Sequence, residues 1–167
     1  GTGVGAGYSV NKKIIVGPNK LTGEWGQNPI PGPMDEYEKS VKRHCGRVGA
    51  VEVFLSGPGL ENYYEHITKT KISSRDIVSL YQENDSVAGE VMDVYFERIA
   101  RSFSTFVNIL DPDVIVCGGG MSEIDEIYDE VPNRIIPYIA SNFFLTPIVK
   151  ATHGSSSGVR GAAHLWN

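Results

Sequence analysis

Asp111-Pro112-Asp113-Val114-Ile115-Val116-Cys117-Gly118-Gly119-Gly120 is an apolar run closed at both ends by chain-turning residues, and it places the chain in the α/β class. Asp111-Pro112 stops whatever helix precedes it, because proline cannot continue one. Val114 to Cys117 is the length and composition of a buried parallel strand. Three glycines follow directly, leading into Met121-Ser122 and an acidic helical start. A glycine turn from the carboxyl end of a strand into a helix is where open α/β sheets take ligands. Gly118, Gly119 and Gly120 are therefore candidate nucleotide contacts.

On the N-terminal side of this run, Ser86 to Leu110 is the longest periodic segment. Val87, Val91, Val94, Tyr95, Ile99, Phe103, Phe106, Val107 and Leu110 recur at three- and four-residue spacing and predict one long helix with a wide apolar stripe. Arg98 and Arg101 mark its opposite side. Ser73 and Ser74 offer N-caps for a shorter helix carrying Ile77, Val78 and Tyr81. Before it, Ser56-Gly57-Pro58-Gly59 breaks the chain, and helical spacing resumes through Tyr63, Tyr64 and Ile67. On the C-terminal side, Pro132 and Pro137 punctuate a helical region with Ile135, Ile136 and Ile139. Pro147 to Ala151 reads as a strand and His153 to Gly158 as a loop. Val159 to Trp166 reads as a terminal helix, with His153 and His164 as ordinary loop and surface residues.

The first third carries the polar chemistry. Gly1-Thr2-Gly3-Val4-Gly5-Ala6-Gly7 is a glycine run whose backbone N–H groups are suited to phosphate oxygens, with Thr2 adding a hydroxyl. It matches neither the dinucleotide fingerprint nor the lysine-bearing phosphate loop. Tyr8-Ser9-Val10 and Ile14-Ile15-Val16 around Asn11-Lys12 predict a β-hairpin. Glu24-Trp25-Gly26-Gln27-Asn28 then sets a carboxylate, an aromatic face and two amides within five residues. Such groups accept and donate hydrogen bonds to a polyol, although a solvated loop has the same composition. Pro29, Pro31 and Pro33 forbid regular structure and, with the charged run Asp35 to Lys42, predict a surface excursion. Glu52 lies inside the apolar run Ala50 to Leu55, where an acid needs a partner or a ligand. His44-Cys45 supplies too few donors for a structural zinc, which takes about four.

The 167 residues fit one domain, long enough to bury roughly 70% of the unfolded surface. With 15 basic and 20 acidic residues the net charge is −5, without like-charge blocks. Nucleic acid and polybasic membrane surfaces are not expected partners. No apolar run reaches the ~18 residues of a membrane span and no signal-peptide order opens the chain, so a cytoplasmic protein is expected. The two cysteines, Cys45 and Cys117, are expected as free thiols.

Taken in order, Gly1 to Gly7, then Gly23-Glu24-Trp25-Gly26-Gln27-Asn28-Pro29-Ile30-Pro31, Cys45-Gly46, Glu52, Asp111 to Val116 with Gly118 to Gly120, and Ser156-Ser157-Gly158-Val159-Arg160-Gly161-Ala162-Ala163 resemble the ROK family of sugar kinases and repressors. The bacterial fructokinase branch is the most similar. The resemblance covers residues 1–167 and implies an actin-like ATPase (ribonuclease H-like) domain, a mixed sheet flanked by helices. It also implies that the chain, which starts without Met, is the C-terminal lobe of a two-domain sugar kinase.

Carried over by position, Gly1, Thr2 and Gly3 match the loop that holds the β- and γ-phosphates of ATP, and Gly118, Gly119 and Gly120 match the adenosine motif. Glu24 and Glu52 match acids that bind sugar hydroxyls. Gln27 stands where the family has a histidine that touches the sugar and ligates zinc. The remaining zinc positions are Arg43, Cys45 and Ala50, so only Cys45 survives and no zinc is expected. Arg43 is expected to order this loop through an ion pair with a nearby acid. The implied reaction is ATP- and Mg²⁺-dependent phosphorylation of a hexose, fructose to fructose 6-phosphate first. Its catalytic base is expected on the other lobe, so the isolated chain is expected to be inactive. A homodimer using part of the long helix's stripe is expected as well. A sugar-sensing repressor and a catalytically silent sugar-binding module are the competing readings.

Overall fold

The computed structural model describes residues 3–163. The expectations for Gly1, Thr2, His164, Leu165 and Trp166 lie outside the described residues. Along the chain come β1 (Ser9–Val10), β2 (Lys13–Ile14), α1 (Glu36–Ser40), α2 (Glu52–Leu55), α3 (Gly57–Thr68), α4 (Ser74–Gln82), α5 (Ser86–Leu110), β3 (Ile115–Cys117), α6 (Ile127–Arg134), β4 (Ile148–Lys150) and α7 (Ser157–Ala163). Short 3₁₀ turns at Glu24–Gln27, Gly120–Glu123, Ile136–Tyr138 and Gly154–Ser156 join them.

Helix α5 is the spine, as its periodicity predicts. The Asp85 side chain accepts from the Ala88 N–H at 2.8 Å and caps its start. Asp111 at φ 42° and Pro112 close its end. Val91, Met92, Tyr95, Phe96, Ile99 and Ala100 are buried along it, and α2, α3, α4 and α6 pack against them with Phe54, Leu60, Ile77 and Val131. Each such large apolar side chain contributes about 1.5–3 kcal/mol by leaving water. Tyr95 adds a buried hydrogen bond from its hydroxyl to the Leu55 carbonyl at 2.9 Å, which ties α5 to the end of α2.

The strands are few. β3 and β4 pair in parallel with Ile115 opposite Ile148, as a crossover through α6 requires. Only Ile115 of β3 is buried, and Val116 is 59% exposed, so the strand is covered on one face rather than on both. β1 and β2 pair antiparallel, and Asn11 (φ 52°) and Lys12 (φ 63°) both take the left-handed conformation that a two-residue hairpin turn needs. Every residue of that hairpin is exposed. Parallel and antiparallel pairs are both present, in two separate two-stranded sheets among the described residues.

Two expectations are corrected. The proline segment is not an irregular surface excursion: Asp35 accepts from the Glu38 N–H at 2.6 Å, Glu38 reaches back to the Asp35 N–H at 3.3 Å, and this capping box starts α1. Nor does Arg98 mark the side opposite the stripe: it follows the buried Val91 by seven residues, two helical turns, and shares its face. Arg98 is 2% exposed, its Nε donating to Glu38 at 2.9 Å, while Arg101 donates to Glu38 and to the carbonyls of Pro31 and Pro33. Arg98 and Arg101 of α5 are thus the seat of the proline segment. The terminal helix also begins at Ser157, two residues before the expected Val159. No helix among the described residues is long and apolar enough to cross a membrane.

Candidate functional site

Three segments that the sequence marks separately converge at the N-terminal end of α2. The first is the glycine run. The Ala6 N–H donates to the Gly23 carbonyl at 2.9 Å. A Cβ at Gly23 would lie 1.8 Å from the Ala6 carbonyl oxygen, and one at Gly26 2.1 Å from that of Val4. Only glycine at both positions admits so close a backbone approach, and Gly23 also has φ 94°.

The second segment is the 3₁₀ turn Glu24–Gln27. Glu24 is exposed, and the Gln27 side-chain amide donates to its carboxylate at 2.9 Å, so the two candidate sugar contacts present one surface. Trp25 does not join them. Its ring packs edge-on against Phe106 (5.4 Å) and Phe103 (6.1 Å), so the aromatic face read as sugar chemistry packs against the core.

The third segment is the turn 43–47 and the start of α2. Val51 N–H donates to Asn28 carbonyl at 2.9 Å and Ile30 N–H to Gly49 carbonyl at 2.7 Å, which stitches residues 28–30 to 49–51. That pairing brings Glu52 beside the Glu24–Gln27 turn. Glu52 opens α2, and its partner is Arg43: the Arg43 Nε donates to Glu52 Oε1, and its Nη1 lies 3.3 Å from Cys45 Sγ. The nearby acid expected of Arg43 is thus Glu52. The second carboxylate oxygen, Oε2, lies 2.9 Å from where a Cβ on Gly3 would sit. Candidate sugar acid and candidate phosphate loop are therefore neighbours. The Arg47 backbone N–H and the Arg43 guanidinium hold the Cys45 thiol below the usual thiol range.

The donor set does not fit zinc. Of the four matching positions, Gln27 commits its amide to Glu24, Arg43 is a cation without a lone pair, Ala50 has no donor and is buried, and Cys45 alone remains. Among the described residues no cluster of three or more His, Cys, Asp and Glu side chains is disposed to hold a metal ion.

Gly118 to Gly120 lie where the strand turns, at the end of β3. Gly119 (φ 87°) accepts from both the N–H and the hydroxyl of Ser122, the latter at 2.7 Å. Gly118 and Gly3 border a common cavity of about 290 Å³, with Trp25, Tyr95, Phe103 and Phe106 among its walls. Gly119 and Gly120 do not line it. Walls of this kind solvate a charged group poorly. Cys117 beside the turn is half-buried, and burial pushes its thiol up to about 11.

Residue reading did not find the buried Glu38–Arg98–Arg101 cluster that anchors the proline segment behind this site. The Asp-x-x-Glu spacing of Asp35 and Glu38 was the available signal for α1.

A sequence model of the ROK family matches residues 1–167. The chain is 37% identical over 169 aligned positions to N-acetyl-D-glucosamine kinase of Vibrio atlanticus (strain LGP32), covering 99% of this chain and 56% of that protein. It spans about half the length of the curated relatives it matches. The structure superposes on a ROK family glucokinase from Streptomyces griseus, solved with glucose and AMPPNP, with a TM-score of 0.84 and 20% identity, over 99% of this chain and 57% of that one. A ROK hexokinase from Thermus thermophilus matches with a TM-score of 0.80 and 22% identity, over 97% and 53% of the two chains. The fold is that of the actin-like ATPase sugar kinases.

Proposed function

The chain belongs to the ROK family, and on that premise we propose that the protein transfers the γ-phosphoryl group of ATP to a hydroxyl of a hexose. Residues 1–167 supply sugar-binding acids and glycine loops for the nucleotide. The observation that carries this is the close approach of Glu52 to Gly3, which sets a carboxylate suited to hydroxyl groups beside a glycine backbone suited to phosphate. Positioning and charge stabilisation, with Mg²⁺ on the phosphates, are the means by which phosphoryl transfer is catalysed. Glu24, Gln27 and Glu52 orient the sugar, with Gln27 bonding a hydroxyl as a neutral amide that does not titrate. Gly1, Thr2 and Gly3 hold the terminal phosphates, and Gly118 to Gly120 lie toward the adenosine.

N-acetyl-D-glucosamine heads the substrates to test, because the 37%-identical relative is a kinase named for that sugar. Fructose, to which the resemblance to the fructokinase branch points, stands second. The test is ADP release by the full-length protein with Mg-ATP and each of N-acetyl-D-glucosamine, fructose, glucose and mannose. Turnover with one of them is expected, and Glu52→Gln is expected to lower kcat/KM by roughly 10- to 100-fold, the loss of one charge-assisted hydrogen bond. A folded protein that turns over none of the four sugars overturns the proposal.

A further inference from the structure

We propose that Arg43 is the positioning residue of this site: its guanidinium, in place of a metal, holds the Glu52 carboxylate against Gly3 and ties it to the Cys45 turn. The inference rests on the reading of Glu52 as a sugar-binding acid.

The origin of the Arg43 side chain is fixed by the backbone. Its N–H donates to the Arg47 carbonyl at 2.8 Å, its carbonyl accepts from the Gly46 N–H at 2.8 Å, and Lys42 and Val48 pair as a bridge behind the turn. Gly46 at φ 85° closes that turn. From this base the planar fork reaches two acceptors at once, Glu52 Oε1 and Cys45 Sγ. A guanidinium can span them in this way, whereas an ammonium is a single point of charge. Both members of the ion pair are largely withdrawn from water, with side chains 16% and 18% exposed, so the attraction is screened less than in a surface pair.

The pairing leaves a definite vacancy in hydrogen-bonding capacity. Glu52 spends Oε1 on Arg43, while Oε2, beside Gly3, keeps its lone pairs for a hydroxyl donor. Without Arg43, a carboxylate on the first turn of a four-residue helix has no other charged partner among the described residues. The same fork excludes a cation from the cluster, since it places a fixed positive charge on the one sulfur that remains. A zinc ion and this arginine are alternatives, and this chain has the arginine.

The experiment uses the full-length protein and three readouts. Elemental analysis of metal content needs no sugar; no zinc is expected, and one zinc per chain overturns the inference. Sugar affinity is measured by calorimetry without ATP, using the hexose that the ADP assay identifies. Arg43→Met is expected to weaken it about tenfold while the KM for ATP stays the same and kcat changes less than KM. Arg43→Lys is expected to recover part of that loss. The third readout is the thermal midpoint of Arg43→Met, Glu52→Gln and the double variant. Coupling of the two sites is expected, so that the double variant is destabilised less than the singles sum to. Additive midpoints, or sugar binding unchanged in Arg43→Met, overturn the inference. Failure of the wild type to bind any sugar instead removes the function proposed above, while the metal content and the midpoints still decide the arginine's role.

Discussion

The Arg98 guanidinium donates to Glu38 at 2.9 Å, with both side chains nearly absent from the surface (3% and 1% exposed), and it lies 4.2 Å from the centre of the Tyr63 ring. Sixty residues separate the two in sequence. This pair fastens α1 and the proline segment to the spine helix, and the proline segment in turn carries the strand pairing that brings residues 28–30 to 49–51.

Glu38→Ala takes the carboxylate partner from Arg101 and leaves the buried Arg98 only the more distant Asp35 carboxylate, at 3.5 Å. Removing one partner of a buried ion pair costs about 3–5 kcal/mol. A urea melt of the full-length protein is expected to show that loss, with Glu38→Gln intermediate because it keeps the hydrogen-bond acceptor. An unchanged midpoint in Glu38→Ala would mean that the pair does not anchor the segment.

Gly23→Ala forces a left-handed backbone onto a residue with a Cβ and drives that Cβ into the Ala6 carbonyl. The conformation alone costs roughly 1–3 kcal/mol. Hydrogen exchange is expected to show the Ala6 amide losing protection, since its bond to the Gly23 carbonyl is the contact displaced. Gly26→Ala is expected to loosen the same strip at Val4.

The two thiols are expected to label at different rates. Cys45 is exposed with its pKa lowered, first by the Arg47 backbone N–H and then by Arg43, so its reactive thiolate is more abundant near pH 8 than in a free cysteine. Cys117 is half-buried with its pKa pushed up to about 11, so it stays protonated there. Maleimide followed by peptide mass mapping is expected to find Cys45 modified first. Because Arg43 stabilises the thiolate, Arg43→Met is expected to raise the Cys45 pKa and slow its labelling at that pH.

Trp25 packs with Phe103 and Phe106 as part of the wall of the cavity that Gly3 and Gly118 border, and does not join the Glu24–Gln27 pair. Trp25→Ala is expected to cost about 3 kcal/mol of stability. Trp25→Phe is expected to keep sugar affinity within about twofold, because no part of the proposed sugar contact is lost. A large loss of affinity in a stable Trp25→Phe variant would return the ring to the site.

Much of the fold was legible because its signals are local. The stripe of α5 repeats every three or four residues, the turn after Cys117 is written in three glycines, and Ser73 caps α4 from the adjacent position. The hairpin at Asn11-Lys12 was legible for the same reason. The proline segment was misread because Asp35 and Glu38 look like surface charge until the arginines that neutralise Glu38 are known.

For the site, the residue types were determined by the sequence: acids at Glu24 and Glu52, an amide at Gln27, glycines at Gly3 and Gly118, and an arginine where a metal ligand is the alternative. Those choices bound the chemistry, since hydrogen-bond capacity and charge belong to the side chain wherever it is placed. Which of them meet was decided by the tertiary structure alone. Arg43 finds Glu52, Glu52 approaches Gly3, and Trp25 turns from the Glu24–Gln27 pair to Phe103 and Phe106, because side chains distant in sequence meet only where packing and the close backbone approach at Gly23 and Gly26 bring their segments together.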